Sequence, residues 1–474
     1  MSTDTARTVP AVIGFSIVLS VVLFFRFYNL PEWLIFSTDQ GRAMLAGRDI
    51  LLGDFVLQGP ATSVAGISLG PLYYYLTAVA LWFSNFHPIG PAVMVAGMSV
   101  FTTAFLYLYV WRNWQNQILA VVSGLLYALS PLVTWQARIA IEPSPLPLIV
   151  IAWLWSMTEA VQGNNRRWWM AAALLPVLGI QFNFSAAVLW AAQAVIWLLF
   201  TDSIDRVWKQ RIIGTGIFLS GLLLLVRAVR GTTSFAYWTR EWLLATFPQT
   251  PFAATLLFVI FASTLVFWCL HLWDRWRAQL LPPIHETILL VWISLSMMAF
   301  TLKTVGGDHA LAILFLAPAI VIPVGLQSLF RPRWQVFSLA GAIGFFGLWS
   351  LQAFSVLPEL RGQTVADHLP VVESILELAQ KEPYALVYRG HLDVYDAADD
   401  HYQYLLWYAG HPPAQSARIA LEEPYFEKWL RTDTHMSSAV ARTIYVYYPA
   451  NALDRYEQEG TLHFSGPAVL DVVE

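Results

Sequence analysis

Apolar runs of about 15 to 25 residues recur from residue 11 to residue 356, and each can cross a ~30 Å hydrocarbon layer as a helix. They lie at 11–29, 71–86, 90–111, 117–136, 145–161, 168–182, 184–200, 211–229, 251–272, 286–303, 309–330 and 335–356, twelve in all. The first is too long for a signal peptide and lacks its small-residue cleavage site, so it is expected to remain as an anchor. Composition points the same way: 57% of residues are apolar and 12% charged, against roughly 25% charged in a soluble domain. The lone cysteine, Cys269, leaves no disulfide framework, cysteine metal cluster or redox pair.

The net charge of -4 conceals an asymmetry, because residues 357–474 carry 18 acids against 8 bases and the first 356 residues are therefore basic. The expected division is a membrane-embedded body over 1–356 and an acidic, water-soluble domain over 357–474. That tail shows helical patterns at 369–381 and 397–409 and strand-like runs at 384–389 and 443–448, which predicts a small α/β domain.

Short cytoplasmic loops collect Lys and Arg. Arg112, the pair Arg166 and Arg167, the group Arg206, Lys209 and Arg211, the pair Arg275 and Arg277, and the pair Arg331 and Arg333 mark such loops. Two apolar runs separate each neighbouring pair, as the rule requires, but three precede Arg112. One of those three cannot cross. The run at 70–86 is the shortest, opens Gly-Pro and carries Tyr73, Tyr74 and Tyr75, which suit an interface. The expected topology is about eleven spans, an all-α polytopic body, with the N-terminus inside and the tail outside.

On this topology polar residues collect at the external face. Asp39 and Asp54 come from the first loop, and Arg138 and Glu142 from a second. Arg227, Arg230, Arg240 and Glu241 come from 227–250, and Lys303, Asp308 and His309 from a late loop. Ionisable groups at a membrane boundary are costly without partners. In Phe-Ser-Thr-Asp-Gln-Gly-Arg, Ser37 or Thr38 can cap a surface helix over Gln40–Leu52, which puts Asp39 in its first turn. There it is either a favourable charge at a helix N-terminus or a general base. Glu142, ahead of Pro-Ser-Pro-Leu-Pro, is either an i,i+4 partner of Arg138 or part of a site. In the tail, His391, Asp393, Asp396, Asp399, Asp400, His401 and His411 raise metal binding, although their spacing fits no standard site.

Several features in order carry a resemblance: the acid after span one, the surface helix, Gly-Pro-Leu-Tyr-Tyr-Tyr (70–75), Leu-Ser-Pro (129–131), Arg138 with Glu142, QFNFSAAVLW (181–190) and DHALAILFLAP (308–318). Over about residues 10–330 the chain resembles the polyprenyl-phosphate-sugar-dependent glycosyltransferases of the GT-C fold. The branch it is most similar to holds the protein O-mannosyltransferases and the lipid A aminoarabinose transferase.

The resemblance implies an inverting transferase in a cytoplasmic (inner) membrane that takes sugar from a polyprenyl-phosphate donor to a lipid, glycan or protein acceptor. It implies no nucleic-acid partner. Asp39 falls on the catalytic acid and Glu142 on the second-loop acid that organises the acceptor or a divalent metal. Lys303, with His309 beside it, falls on the base that neutralises the carrier phosphate; Arg230 and Arg138 are further expected to stabilise the charge on that phosphate. Gln40 stands where many relatives have a second acid, and Ala310 where many have Tyr. The main alternative from another class is a transporter or flippase of lipid-linked saccharides. That reading calls for related halves and mid-membrane charges, and neither stands out.

Overall fold

Apart from the run at 211–229, which lies outside the described residues, the apolar runs become helices in the computed structural model, which describes residues 3–60, 68–163, 165–200, 251–277, 283–302, 312–356, 364–390, 400–418, 442–448, 461–465 and 468–473. The chain packs into two compact units. The first comprises residues 1–28, 96–137 and 142–356, and the second 29–95, 138–141 and 357–474. The second unit therefore joins the first loop to the tail. This differs from a linear division at residue 356, for a physical reason given below.

The first unit contains α1 (Thr3–Phe27), most of α4 (Ile89–Trp114), α5 (Gln117–Leu129), α6 (Pro131–Gln136), α7 (Leu146–Gly163), α8 (Arg166–Ile180), α9 (Ala187–Phe200), α10 (Pro251–Arg277), α11 (Ile284–Leu302), α12 (Leu316–Leu329) and α13 (Pro332–Val356). Among the described residues, five helices are long and apolar enough to cross a membrane. The packed faces of the unit's helices bury Trp153, Trp268, Trp292 and Trp349 in one core. Outward faces are apolar too: Val336, Phe337, Leu348 and Leu351 of α13 lie exposed. Such a surface is unfavourable in water and natural against lipid.

Close helix contacts use small residues. A Cβ on Gly325 of α12 would lie 2.7 Å from the Thr264 carbonyl oxygen of α10, so only glycine permits that crossing. The run 117–136, expected as one helix, is two. Pro131 has no N–H to continue the ladder of α5, and α6 starts afresh with Pro131 at its first position. The guanidinium of Arg26, fully buried at the end of α1, fills the break. It donates to the carbonyls of Tyr127 and Ala128, to Ser99 Oγ and to Thr134 Oγ1, at 2.6–3.2 Å.

The second unit begins with α2 (Thr38–Leu51) and α3 (Leu72–Phe83), which pack on each other. α3 has 12 residues and so spans about 18 Å, well short of the ~30 Å hydrocarbon layer. From the tail come α14 (Val365–Ala379), β1 (Tyr384–Gly390), α15 (Asp400–Tyr408), β2 (Gln415–Arg418), β3 (Arg442–Tyr448), β4 (Thr461–Ser465) and β5 (Ala468–Val473). The sheet order is β2-β1-β3-β5-β4. β1 pairs in parallel with both β2 and β3, whereas β5 is antiparallel to β3 and β4. Residues 384–388 of β1 are all buried, as a parallel strand covered on both faces must be.

Loop and tail interlock because each supplies what the other lacks. The N–H of Val365 donates to the Leu34 carbonyl at 3.0 Å, just where Thr364 and Asp367 cap α14. Buried His368 reaches Phe36 O with Nε2 and Tyr402 Oη with Nδ1, both at 3.1 Å. Since a carbonyl only accepts, Nε2 carries the proton and Nδ1 accepts from the tyrosine. Tyr404 donates its hydroxyl to Phe86 O.

Burial pushes the His368 pKa down to about 4, and burial beside His368 holds His401 well below its ordinary value. Both fold as neutral rings and take up protons first when unfolded, at about 6.5. Their contribution to stability is thus complete above pH 6.5 and is lost as pH falls through about 4. The thermal midpoint in lipid nanodiscs is expected to fall between pH 7 and 4.5, with a flatter slope in His368→Gln. A parent whose midpoint did not change over that range would contradict this.

Candidate active site

The first loop builds its carboxylate from local rules. Ser37 sits in extended backbone before α2, and its N–H and hydroxyl both donate to Gln40 Oε1, at 2.8 and 2.6 Å. Gln40 is buried and spent on this cap, which is why an amide in place of a second acid leaves the helix start intact. Asp39 then occupies the first turn, where a negative charge is favoured by the helix dipole. Its side chain is 37% exposed, open to a reactant.

Three residues on, Arg42 shares its face. Arg42 Nη1 lies 3.3 Å from Asp39 Oδ1, and its Nε lies 3.4 Å from Oδ2 of Asp400, a tail residue whose side chain is only 6% exposed. Two carboxylates from distant parts of the chain thus flank one guanidinium. The helices can come this close because residue 41 is glycine. A Cβ there would stand 2.3 Å from the backbone nitrogen of His401.

α2 therefore buries Met44 and Ile50 within the unit, with α3 and α15 as its neighbours. Met44 and Ile50 of its apolar stripe are thus protein contacts, whereas Leu52 at its end is exposed. Asp54 lies exposed beyond the far end of α2, about 18 Å or more from Asp39 at 1.5 Å per helical residue, and does not join it.

Glu142 is half-buried in the turn between α6 and α7. The turn is set by Pro143 and Pro145, whose carbonyls accept from the N–H groups of Leu146 and Leu148. α7 starts at Leu146, with Pro147 in its first turn, where the missing N–H costs no hydrogen bond. Arg138, in the second unit, is buried with its guanidinium 5.4 Å from the ring centre of Trp33. Burial pulls its pKa down to about 10, so it remains cationic at neutral pH. Lys303, His309 and Arg230, together with Arg227, Arg240, Glu241 and Asp308, lie outside the described residues.

In the tail, His391, Asp393, Asp396 and Asp399 are also outside them. His401 lies among the rings of Phe36, His368, Tyr388 and Tyr402. Among the described residues no group of three His, Cys, Asp or Glu side chains could hold a metal ion. The guanidinium of Arg42 already stands between the carboxylates of Asp39 and Asp400, so these two do not form a divalent-cation site. Sequence reasoning missed Arg42 as the partner of Asp39, although an Asp-x-x-Arg spacing at a helix start is a visible signal.

Among the described residues the polytopic helical body, with five helices long and apolar enough to cross a membrane, and the small sheet frame an acid, Asp39, that heads a short helix after α1. Residues 68–229 match the family model for dolichyl-phosphate-mannose-protein mannosyltransferase. Over nearly its whole length the chain is similar in fold to ArnT from Cupriavidus metallidurans. Against the apo state the TM-score is 0.59 at 13% identity, covering 99% of this chain and 98% of that one. Against ArnT bound to undecaprenyl phosphate it is 0.56 at 14% identity, covering 96% and 97%. No curated protein sequence matches.

Proposed function

We propose that the chain is an integral-membrane inverting glycosyltransferase that moves a sugar from a polyprenyl-phosphate donor to a hydroxyl or amine acceptor. The acceptor is a lipid, a glycan or a protein. The protein works in a bacterial-type inner membrane, with its N-terminus cytoplasmic and its second unit at the extracytoplasmic face. The observation that carries this reading is Asp39: a half-exposed carboxylate, set by a helix cap, in a chain that shares its fold end to end with ArnT.

Asp39 takes the proton from the acceptor O–H or N–H as that atom attacks the anomeric carbon opposite the phosphate. The bond between that carbon and the phosphate oxygen breaks, its electron pair stays on the lipid phosphate, and the configuration inverts. Negative charge gathers on the departing phosphate and calls for fixed cations, the role given to Arg138, Lys303, His309 and Arg230. Glu142 orients the acceptor. Fixed charges of this kind stabilise the transition state more than the ground state, which is the condition for catalysis.

The test uses purified protein in lipid nanodiscs, a panel of radiolabelled undecaprenyl-phosphate sugars and a membrane extract as acceptor. One donor should pass its label to an acceptor and release undecaprenyl phosphate. If no donor is consumed, and in proteoliposomes the label instead crosses the bilayer still attached to its carrier, the transferase reading fails and a flippase takes its place.

A further inference from the structure

α2 and α15 lie side by side and run in the same direction. Asp400 opens α15 beside Arg42 near the start of α2, and seven residues later Trp407 lies under Arg48, whose guanidinium is 5.1 Å from its ring centre. Six residues on one helix and seven on the other advance about 9 and 10 Å, so the two contacts share one register. Gly41 fixes how near the helices come, and a slip by one turn, about 5.4 Å, would carry Asp400 away from Arg42.

Arg42 is 38% exposed, and a long side chain so open to water loses rotamer freedom when it is held in one orientation. Asp400 is buried and cannot move with it. It takes the Nε edge of the guanidinium and so directs Nη1 at Asp39.

We propose that Asp400 is a positioning residue: through Arg42 it holds the carboxylate of Asp39 in the orientation needed for proton abstraction, so that the tail completes a site begun by the first loop. This rests on the reading of Asp39 as the base. It also gives the tail a role in the chemical step, apart from any contact with the acceptor.

The experiment compares the parent with Asp400→Asn, Asp400→Glu, Arg42→Lys, Asp49→Asn and Asp39→Asn in nanodiscs. The donor is whichever undecaprenyl-phosphate sugar of the panel the parent consumes. Asp400→Asn is expected to lower kcat roughly tenfold to a hundredfold, with the donor KM changed by less than about twofold. Asp400→Glu should recover most of the loss. Arg42→Lys keeps the charge but cannot face both carboxylates along one plane, and should show the same kcat loss even if Asp400→Asn folds poorly. Asp49→Asn breaks the Arg48 pair elsewhere on α2 and should run at the parental rate.

A parental kcat in both Asp400→Asn and Arg42→Lys, or a loss confined to KM, overturns the proposal. If Asp39→Asn is inactive while those two variants are unimpaired, the positioning role alone is lost. If Asp39→Asn is itself fully active, the catalytic reading goes, and this inference with it.

Discussion

Asp39→Asn is expected to lower sugar transfer by roughly 10² to 10⁴-fold, the range that removal of a general base produces. The change is close to isosteric. It removes the proton acceptor while leaving the amide able to receive hydrogen bonds. Its side chain is 37% exposed, and its 3.3 Å contact with Arg42 is a pair between two partly solvated groups, so the fold should hold. The helix start should also survive, because Ser37 and Gln40 make the cap without it.

The two sides of the experiment therefore separate. Binding of undecaprenyl phosphate should stay within a few-fold of the parent, and the thermal midpoint should not move, while transfer disappears. A variant that transfers sugar at the parental rate would remove Asp39 from the mechanism. A variant that no longer bound undecaprenyl phosphate would make Asp39 a binding residue instead.

The start of α2 was legible because capping is local: Ser-Thr-Asp-Gln ahead of an apolar pattern contains the reason for the helix. The helix at 72–83 was legible as an apolar run, and its 12 residues fit the shortness that set 70–86 apart in the sequence. β1 and β3 showed as apolar, β-branched and aromatic runs. β2 is the four-residue edge strand Gln-Ser-Ala-Arg, with no alternation to find; β4 has only five residues of mixed polarity, and Asp471 interrupts the apolar run of β5.

Hydropathy joined α5 to α6 because Pro131 sits inside an unbroken apolar run. The partners that matter most were out of reach. Asp400 lies 358 positions from Arg42 in the chain, and nothing local to either announces the other. Gly41 could have been read as a helix-weakening residue, but only the backbone of His401 above it shows why glycine is needed. Asp39, read from its neighbours, was therefore easier to identify than what holds it.

Arg26 shows the same limit and carries the second large effect. In the sequence it is a cation ending an apolar run, the usual mark of a snorkelling side chain. In the structure it is fully buried and turned inward, with three donor contacts across the break between α5 and α6 and a fourth to Ser99 of α4. Tyr127 and Ala128 are in the last turn of α5, where carbonyls run out of i+4 donors; Tyr127 O accepts only a long backbone bond, 3.4 Å, from the Ser130 N–H. A cation there satisfies them and complements the helix dipole at once. The bond to Thr134 ties α6 to the same point, and from α6 the chain runs into the turn that holds Glu142.

Arg26→Met keeps the apolar stem and removes the fork. It takes the guanidinium away from the Ala128 carbonyl and the Thr134 hydroxyl in a dry interior, while the Tyr127 carbonyl keeps the Ser130 N–H, a loss of about 2–5 kcal/mol. In nanodiscs this should lower the thermal midpoint by several degrees or more. Arg26→Lys should fall between the two, since an ammonium can reach one or two of the four groups. Transfer should fall with folded protein in Arg26→Met, in contrast to Asp39→Asn, where folded protein remains and only the chemistry stops. An Arg26→Met variant that melted with the parent would mean that water can enter the α5–α6 break and replace the guanidinium.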